Sequence, residues 1–150
     1  MRTLIQRVQH ASVTIDGQLK SKIGKGLLVL VGIEDRDTQE DIEWLCKKIA
    51  NLRIFDDENG VMNRSVTEIG GSILIVSQFT LLGDVRKGNR PSYFAAAAPE
   101  TAKALYRSVV SKLKGDFQIP VEEGVFQAEM LVRIYNNGPV TILLDSRRLF

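Results

Sequence analysis

The 150-residue sequence predicts one mixed α/β domain, spanning residues 1–150, with a largely antiparallel sheet and two main helices. Three observations predict it. Alternating or continuously apolar stretches of strand length recur along the chain. Glycine- and asparagine-bearing turn signals separate several of them at hairpin spacing. Just two segments repeat apolar residues at i, i+3, i+4 and i+7, the period of an amphipathic helix. Helices this few, among seven or eight strands, argue against a doubly wound parallel sheet.

Taken in order, Leu4, Gln6 and Val8, then Val13 and Ile15, alternate with polar partners, and Asp16-Gly17 is a two-residue hairpin signal before a strand over 19–23. Residues 26–33 read as a strand buried on both faces. Asp37 followed by Glu40 has the spacing of a capping box, and Ile42, Leu45, Cys46 and Ile49 place a helix over 38–50. A short strand over 52–55 enters the turn 56–60 and returns over 61–64. Gly70-Gly71 then precede a buried strand over 72–79. Residues 82–91 form a glycine-bearing basic loop with Arg86, Lys87 and Arg90. Pro99 opens a helix over 99–114 whose apolar face is Ala102, Leu105, Tyr106, Val109, Val110 and Leu113, closed by Gly115. Strands follow near 119–122, 130–135 and 139–145, the last two separated by Asn136-Asn137-Gly138.

A hydrophobic share of 44% and a charged share of 25% match folded globular proteins and leave no bias toward disorder or repeats. The longest apolar run, 26–33, falls far short of the roughly 18 residues of a membrane span, and Met1-Arg2-Thr3-Leu4 leads into a strand pattern instead of a signal peptide. A single cysteine, Cys46, excludes an internal disulfide and agrees with a reducing compartment, so a cytoplasmic location is expected. Twenty Lys and Arg against eighteen Asp and Glu give +2. That balance neither demands nor excludes nucleic acid, since gripping only the end of an RNA needs only a local patch.

The common catalytic inventories are empty. His10 is the sole histidine and reads as a solvated or capped edge residue of the first sheet. Cys46 lies on the buried stripe of its helix and reads as a small core residue. The acidic run 56–58 lacks the spaced ligands of a calcium loop, and no second His or Cys completes a metal set. What remains is Ser77-Gln78-Phe79-Thr80, at the end of a buried strand. Such an end can present hydroxyls and unpaired backbone N–H groups as an oxyanion hole, or simply terminate the strand with polar residues. Gly138-Pro139 likewise reads two ways, as hairpin turn chemistry or as a close backbone approach with a cis bond.

Together, Ser77-Gln78-Phe79-Thr80-Leu81 and Asn136-Asn137-Gly138-Pro139-Val140-Thr141 resemble the paired signatures of the D-aminoacyl-tRNA deacylase family. The likeness runs from the Met-Arg start through 55–63, the loop 87–92 and 124–126, and so covers nearly the whole chain. It implies a barrel-like deacylase fold, a homodimer, and hydrolysis of the ester of D-aminoacyl-tRNA, and of glycine mischarged on tRNA(Ala). The acceptor end of aminoacylated tRNA would be the partner, with no cofactor, metal or membrane. Ser77, Gln78, Phe79 and Thr80 would form the catalytic pocket, their backbone N–H groups near the ester carbonyl. Because nothing supplies Thr80 with a base, help from the tRNA 2′-hydroxyl is expected in place of a covalent intermediate. Gly138 and Pro139, as a cis pair reaching across the dimer, would exclude L side chains. Phe126 and Met130 would hold the terminal adenine. Gln127 and Val61 depart from the family pattern, which commonly has a small residue and a lysine there. Competing readings are a related module that removes a misattached L-amino acid and a non-catalytic RNA-binding protein.

Overall fold

The fold is organised on β1 (Arg2–Ile15), and the computed structural model describes residues 1–149. Asp16 and Gly17, with φ of 50° and 76°, supply the two left-handed residues of a tight hairpin and turn the chain into β2 (Gln18–Ile23). One edge of β1 is shared: its far half pairs with β2 and its near half with β3 (Gly26–Gly32), both antiparallel. Its other edge pairs antiparallel with β8 (Leu131–Asp145) from Arg2 to Thr14. Beyond β3 the sheet continues in parallel through β6 (Ser72–Ser77) and β7 (Val121–Glu123). β4 (Phe55–Asp56) and β5 (Met62–Arg64) form a separate small hairpin. The result is the mixed, largely antiparallel α/β fold expected, with a nearly closed, barrel-like sheet.

α1 (Gln39–Asn51) and α2 (Pro99–Gly115) cover one face. Ile42, Leu45, Cys46 and Ile49 of α1 meet Tyr106, Val109 and Leu113 of α2 over Leu27, Val29, Ile73 and Ile75. The opposite face of the same strands, Leu28, Leu74 and Val76, packs on Val8, Ala11 and Val13. Burial on both faces is why β3 and β6 read as unbroken apolar runs. Their close pairing requires Gly26, since a Cβ there would lie 1.8 Å from the Ser72 carbonyl oxygen. Cys46 is a core residue: it is fully buried, and burial pushes its thiol up to about 12. Among the described residues no helix is long and apolar enough to cross a membrane.

Four expectations are corrected. The capping box is Thr38 with Asp41, whose carboxylate accepts from the Thr38 N–H at 2.8 Å. Asp37 is committed elsewhere, accepting from the Glu34 N–H at 2.6 Å and the Met1 amine at 2.5 Å. In the first half of β1 the inner face is Thr3, Ile5 and Arg7, while Leu4 and Gln6 are half-buried. β6 stops at Ser77, and Phe79–Leu82 is a 3-10 turn. The strands expected near 130–135 and 139–145 are one strand, β8, that bulges instead of reversing. Gln6 faces Thr141 and Val8 faces Asn136, so β8 advances five residues while β1 advances two.

Candidate active site

β6 carries Ser77 to the C-terminal end of the parallel pair. One further ladder bond, from the Gln78 N–H to the Val31 carbonyl at 2.7 Å, fixes where the chain leaves the sheet. The turn then closes through the Leu81 N–H on the Gln78 carbonyl (3.3 Å) and the Gly83 N–H on the Thr80 carbonyl (3.1 Å). The N–H groups of Phe79 and Thr80 precede these bonds. Like the leading amides of any helical turn, they have no acceptor within it. The Gln78 amide hydrogen-bonds the Thr80 hydroxyl. From β1, Arg2 Nη1 donates to the Leu81 carbonyl at 2.9 Å and so ties the turn to the sheet.

A cavity of about 540 Å³ opens beside this turn. Its walls include Val31 in β3 and Ile33 just after it, Ser77, Gln78 and Phe79, Ala96 and Ala97 ahead of α2 with Pro99 and Ala102 in its first turn, and the segment Phe126, Gln127, Ala128 and Met130. The lining is mostly apolar, as ligand cavities are. Ser77, Gln78, Phe79, Phe126 and Met130 are thus brought together from distant parts of the sequence. Thr80 is exposed next to Phe79 and does not line the cavity. The Phe126 ring lies 6.0 Å from that of Tyr106, and Met130 Sδ accepts from the Val125 N–H at 3.3 Å. Gln127, one of the departures from the family pattern, adopts a left-handed φ of 63° and contributes to the wall.

Among the described residues the Thr80 hydroxyl is partnered by the Gln78 amide, and the cavity wall carries no His, Asp, Glu, Lys or Cys. His10 stacks on Tyr135 at 3.6 Å and is absent from the cavity wall, and Cys46 is sealed in the core. The acidic run shapes its own turn: Asp57 accepts from the N–H groups of Asn59 and Val61, which hold its carboxyl below its ordinary value. Among the described residues no three His, Cys, Asp or Glu side chains are grouped to hold a metal ion.

Gly138 and Pro139 are joined by a cis peptide and project from the β8 bulge, both exposed. Gly138 has a φ of 121°, and a Cβ there would meet Val140 Cγ2 at 2.8 Å and Arg7 Nη2 at 3.0 Å. The bulge is braced from beneath. Arg7 Nε donates to the Asn137 carbonyl at 3.2 Å, while its Nη1 donates to the Ile54 carbonyl at 2.8 Å and to Asp56 at 3.2 Å. The Asn136 amide spans the bulge, donating to the Arg7 and Val140 carbonyls at 2.9 and 3.0 Å. Within one chain this motif is far from the cavity. Ser77 is level with Val31 and Thr3, whereas the bulge lies between the pairings of Gln6 and Val8, three to five residues along β1 or roughly 10–16 Å.

Sequence reasoning missed Arg7, Asn136 and Arg2. Nothing in an alternating strand distinguishes an inward arginine from an outward one. The alanines at 96 and 97 carried a faint signal, a run of small residues before Pro99, of the kind that leaves room for a ligand.

Fold and cavity together define a class, a small mixed α/β domain with a mostly apolar pocket beside a 3-10 turn at the end of a parallel strand pair. The chain superposes with a TM-score of 0.93 on a solved structure named "c-Myc DNA Unwinding Element Binding Protein", 44% identical, covering 97% of this chain and 98% of that one. A solved structure described as that of "a probable eukaryotic D-amino acid tRNA deacylase", at 19% identity and a TM-score of 0.80, shares the fold over 95% of this chain and 97% of that one. The family model for D-Tyr-tRNA(Tyr) deacylase matches residues 4–145. Proteins named D-aminoacyl-tRNA deacylase from Parabacteroides distasonis and Bacteroides thetaiotaomicron are 65% and 58% identical, each over 98% of both chains. The chain belongs to the D-Tyr-tRNA(Tyr) deacylase family.

Proposed function

We propose that this chain hydrolyses the ester of D-aminoacyl-tRNA, releasing the D-amino acid and free tRNA, and thereby guards translation against the wrong hand. The observation that carries this reading is the cavity bounded by Ser77, Gln78 and Phe79. The Phe79 amide stands at its wall and the Thr80 amide next to it, neither given an acceptor among the described residues, and no His, Asp, Glu, Lys or Cys is among the described lining residues. A site so equipped suits positioning and oxyanion stabilisation better than nucleophilic attack. Water adds to the ester carbonyl, and the amides of the Ser77–Thr80 segment receive the negative charge. The carbon–oxygen bond to the terminal ribose then breaks and that oxygen takes up a proton, with the neighbouring 2′-hydroxyl assisting the transfer. Phe126 and Met130 stack against the terminal adenine.

Selection by hand is assigned to Gly138 and Pro139. The pair lies along the sheet from Ser77 within one chain, which supports a reading in which it reaches the cavity of a second copy and the active form is a homodimer. A braced backbone cannot swing aside for an L side chain, whereas glycine, with no side chain, passes. Glycine mischarged on tRNA(Ala) is therefore also a substrate.

The test compares D-tyrosyl-, glycyl- and L-tyrosyl-tRNA with the purified protein. Loss of the first two esters with the L-ester spared is expected, and Thr80→Ala retains substantial activity. Faster removal of the L-ester overturns the reading. A second reading, nucleic-acid binding without turnover, draws on the name of the 44% identical solved structure. It predicts that charged and uncharged tRNA bind alike and that the ester survives.

A further inference from the structure

Beside the mouth of the cavity the chain displays an aromatic residue that the fold does not use. Phe94 is 98% exposed, a far greater exposure than burial of so large an apolar side chain would favour. It is not on a loose tether. The Ala96 N–H donates to the Tyr93 carbonyl at 2.9 Å, closing a turn with Phe94 at its first tip position. The turn is clamped to the end of β3 by the Asp35 N–H on the Ala95 carbonyl (3.2 Å) and the Ala97 N–H on the Ile33 carbonyl (2.9 Å). At its base, Tyr93 sits edge-on to Phe79 at 5.0 Å, and Tyr93 Cε1 comes within 3.1 Å of where a Gly83 Cβ would be. Phe79, Ala96 and Ala97 are themselves cavity wall, so the turn adjoins the site directly.

A lone exposed apolar residue needs no explanation, but this one continues a patch with Phe79 (57% exposed) and Tyr93 (37%) at the rim of a pocket. The neighbouring loop supplies charge. Asp84 and Ser92 exchange two backbone hydrogen bonds, of 2.8 and 2.9 Å, and so pin the ends of a loop that carries Arg86, Lys87 and Arg90. Arg86 is engaged by Asp84 at 2.6 Å, while Lys87 and Arg90 are exposed and have no ion-pair partner among the described residues.

We infer that Phe94 and Tyr93 form a stacking platform for unpaired nucleotides of the RNA tail that leads out of the cavity, with Lys87 and Arg90 on its phosphates. The inference rests on the proposed function, which seats only the terminal adenosine inside the pocket and leaves the preceding nucleotides to cross this rim. Aromatic stacking suits them because every base offers a π-face, whatever the sequence.

The experiment measures KM and kcat for two substrates, D-tyrosyl-tRNA and D-tyrosyl-adenosine, which lacks the tail. Phe94→Ala is expected to raise KM for the tRNA ester about tenfold, while kcat stays unchanged and KM for the nucleoside ester moves by less than about twofold. Phe94→Trp restores the wild-type value. Lys87→Gln lowers the salt dependence of the tRNA reaction by about one ion. An equal rise in KM for both substrates, or none for either, overturns the inference and leaves the proposed function standing. So does a Phe94→Ala protein whose sedimentation shows weakened self-association, which would make a second copy the occupant of this patch. If the wild-type protein cleaves neither D-ester, both fall together.

Discussion

Replacing Arg7 by methionine keeps most of the side-chain volume and removes the guanidinium that braces the Gly138-Pro139 bulge. The cost can be built from its partners. The Ile54 carbonyl is buried and loses its donor at 2.8 Å, which costs about 1–3 kcal/mol. The Asn137 carbonyl, half-buried and bonded at 3.2 Å, loses about 1 kcal/mol because water can partly replace the donor. The Asp56 carboxylate is half exposed, so that ion pair adds little. Methionine recovers the packing of the stem and removes the desolvation of a charge. The balance is a loss of about 2–3 kcal/mol, read from urea unfolding at fixed protein concentration, since self-association would otherwise shift the midpoint. The same variant should cleave L-tyrosyl-tRNA at a higher rate relative to the D-ester, because the bulge loses the support that holds its backbone in place. A stability change below about 0.5 kcal/mol, or a full loss of stability with an unchanged preference between the two esters, would refute the reasoning.

Two further outcomes follow from the geometry. Arg2→Met frees the Leu81 carbonyl from the bond that holds the 3-10 turn and also takes the Arg2 Nε from the buried Asp145 carboxylate at 3.4 Å. It should lower kcat more than it raises KM, and stability should fall by more than the roughly 1 kcal/mol of the Leu81 bond. A conservative Arg2→Lys should recover part of that kcat, which steady-state kinetics on the D-ester would show. The buried thiol makes an alkaline prediction. Cys46 is raised from 9.0 to about 12 in the native chain, so above pH 9 the unfolded state gives up a proton that the native state keeps, and stability falls as pH rises toward 12. Tyr106, also pushed up by burial, acts in the same direction above pH 10. Urea midpoints at pH 8 and 9.5 should therefore converge in Cys46→Ala relative to the parent, and a thiol reagent should modify the parent only once it unfolds.

Much of this was readable along the chain because it depends on neighbours in sequence. The 3.6 period of Ile42, Leu45, Cys46 and Ile49 locates α1 and its buried face, and Asp16-Gly17 locates the first hairpin, through local sterics alone. The Thr38–Asp41 cap was misjudged by one residue because Asp37, an equally good capping residue, is taken by groups that come from elsewhere in the fold. Asn136-Asn137-Gly138 has the residues of a reversing turn. β8 nevertheless runs on through it, since pairing with β1 on both sides of the bulge outweighs the local preference.

The residue inventory by itself left a histidine-based or metal-based mechanism little to draw on, and the resemblance to the family's paired signatures singled out two segments sixty residues apart. Tertiary structure decided how they are deployed. It ended β6 at Ser77 so that the Phe79 and Thr80 amides have no acceptor among the described residues, gathered Phe126 and Met130 to the same cavity, and placed Arg7 beneath Gly138. It also separated the Gly138-Pro139 bulge from that cavity within one chain. Strand register sets these distances, and register follows from which faces are buried across the whole sheet, a property no single segment encodes.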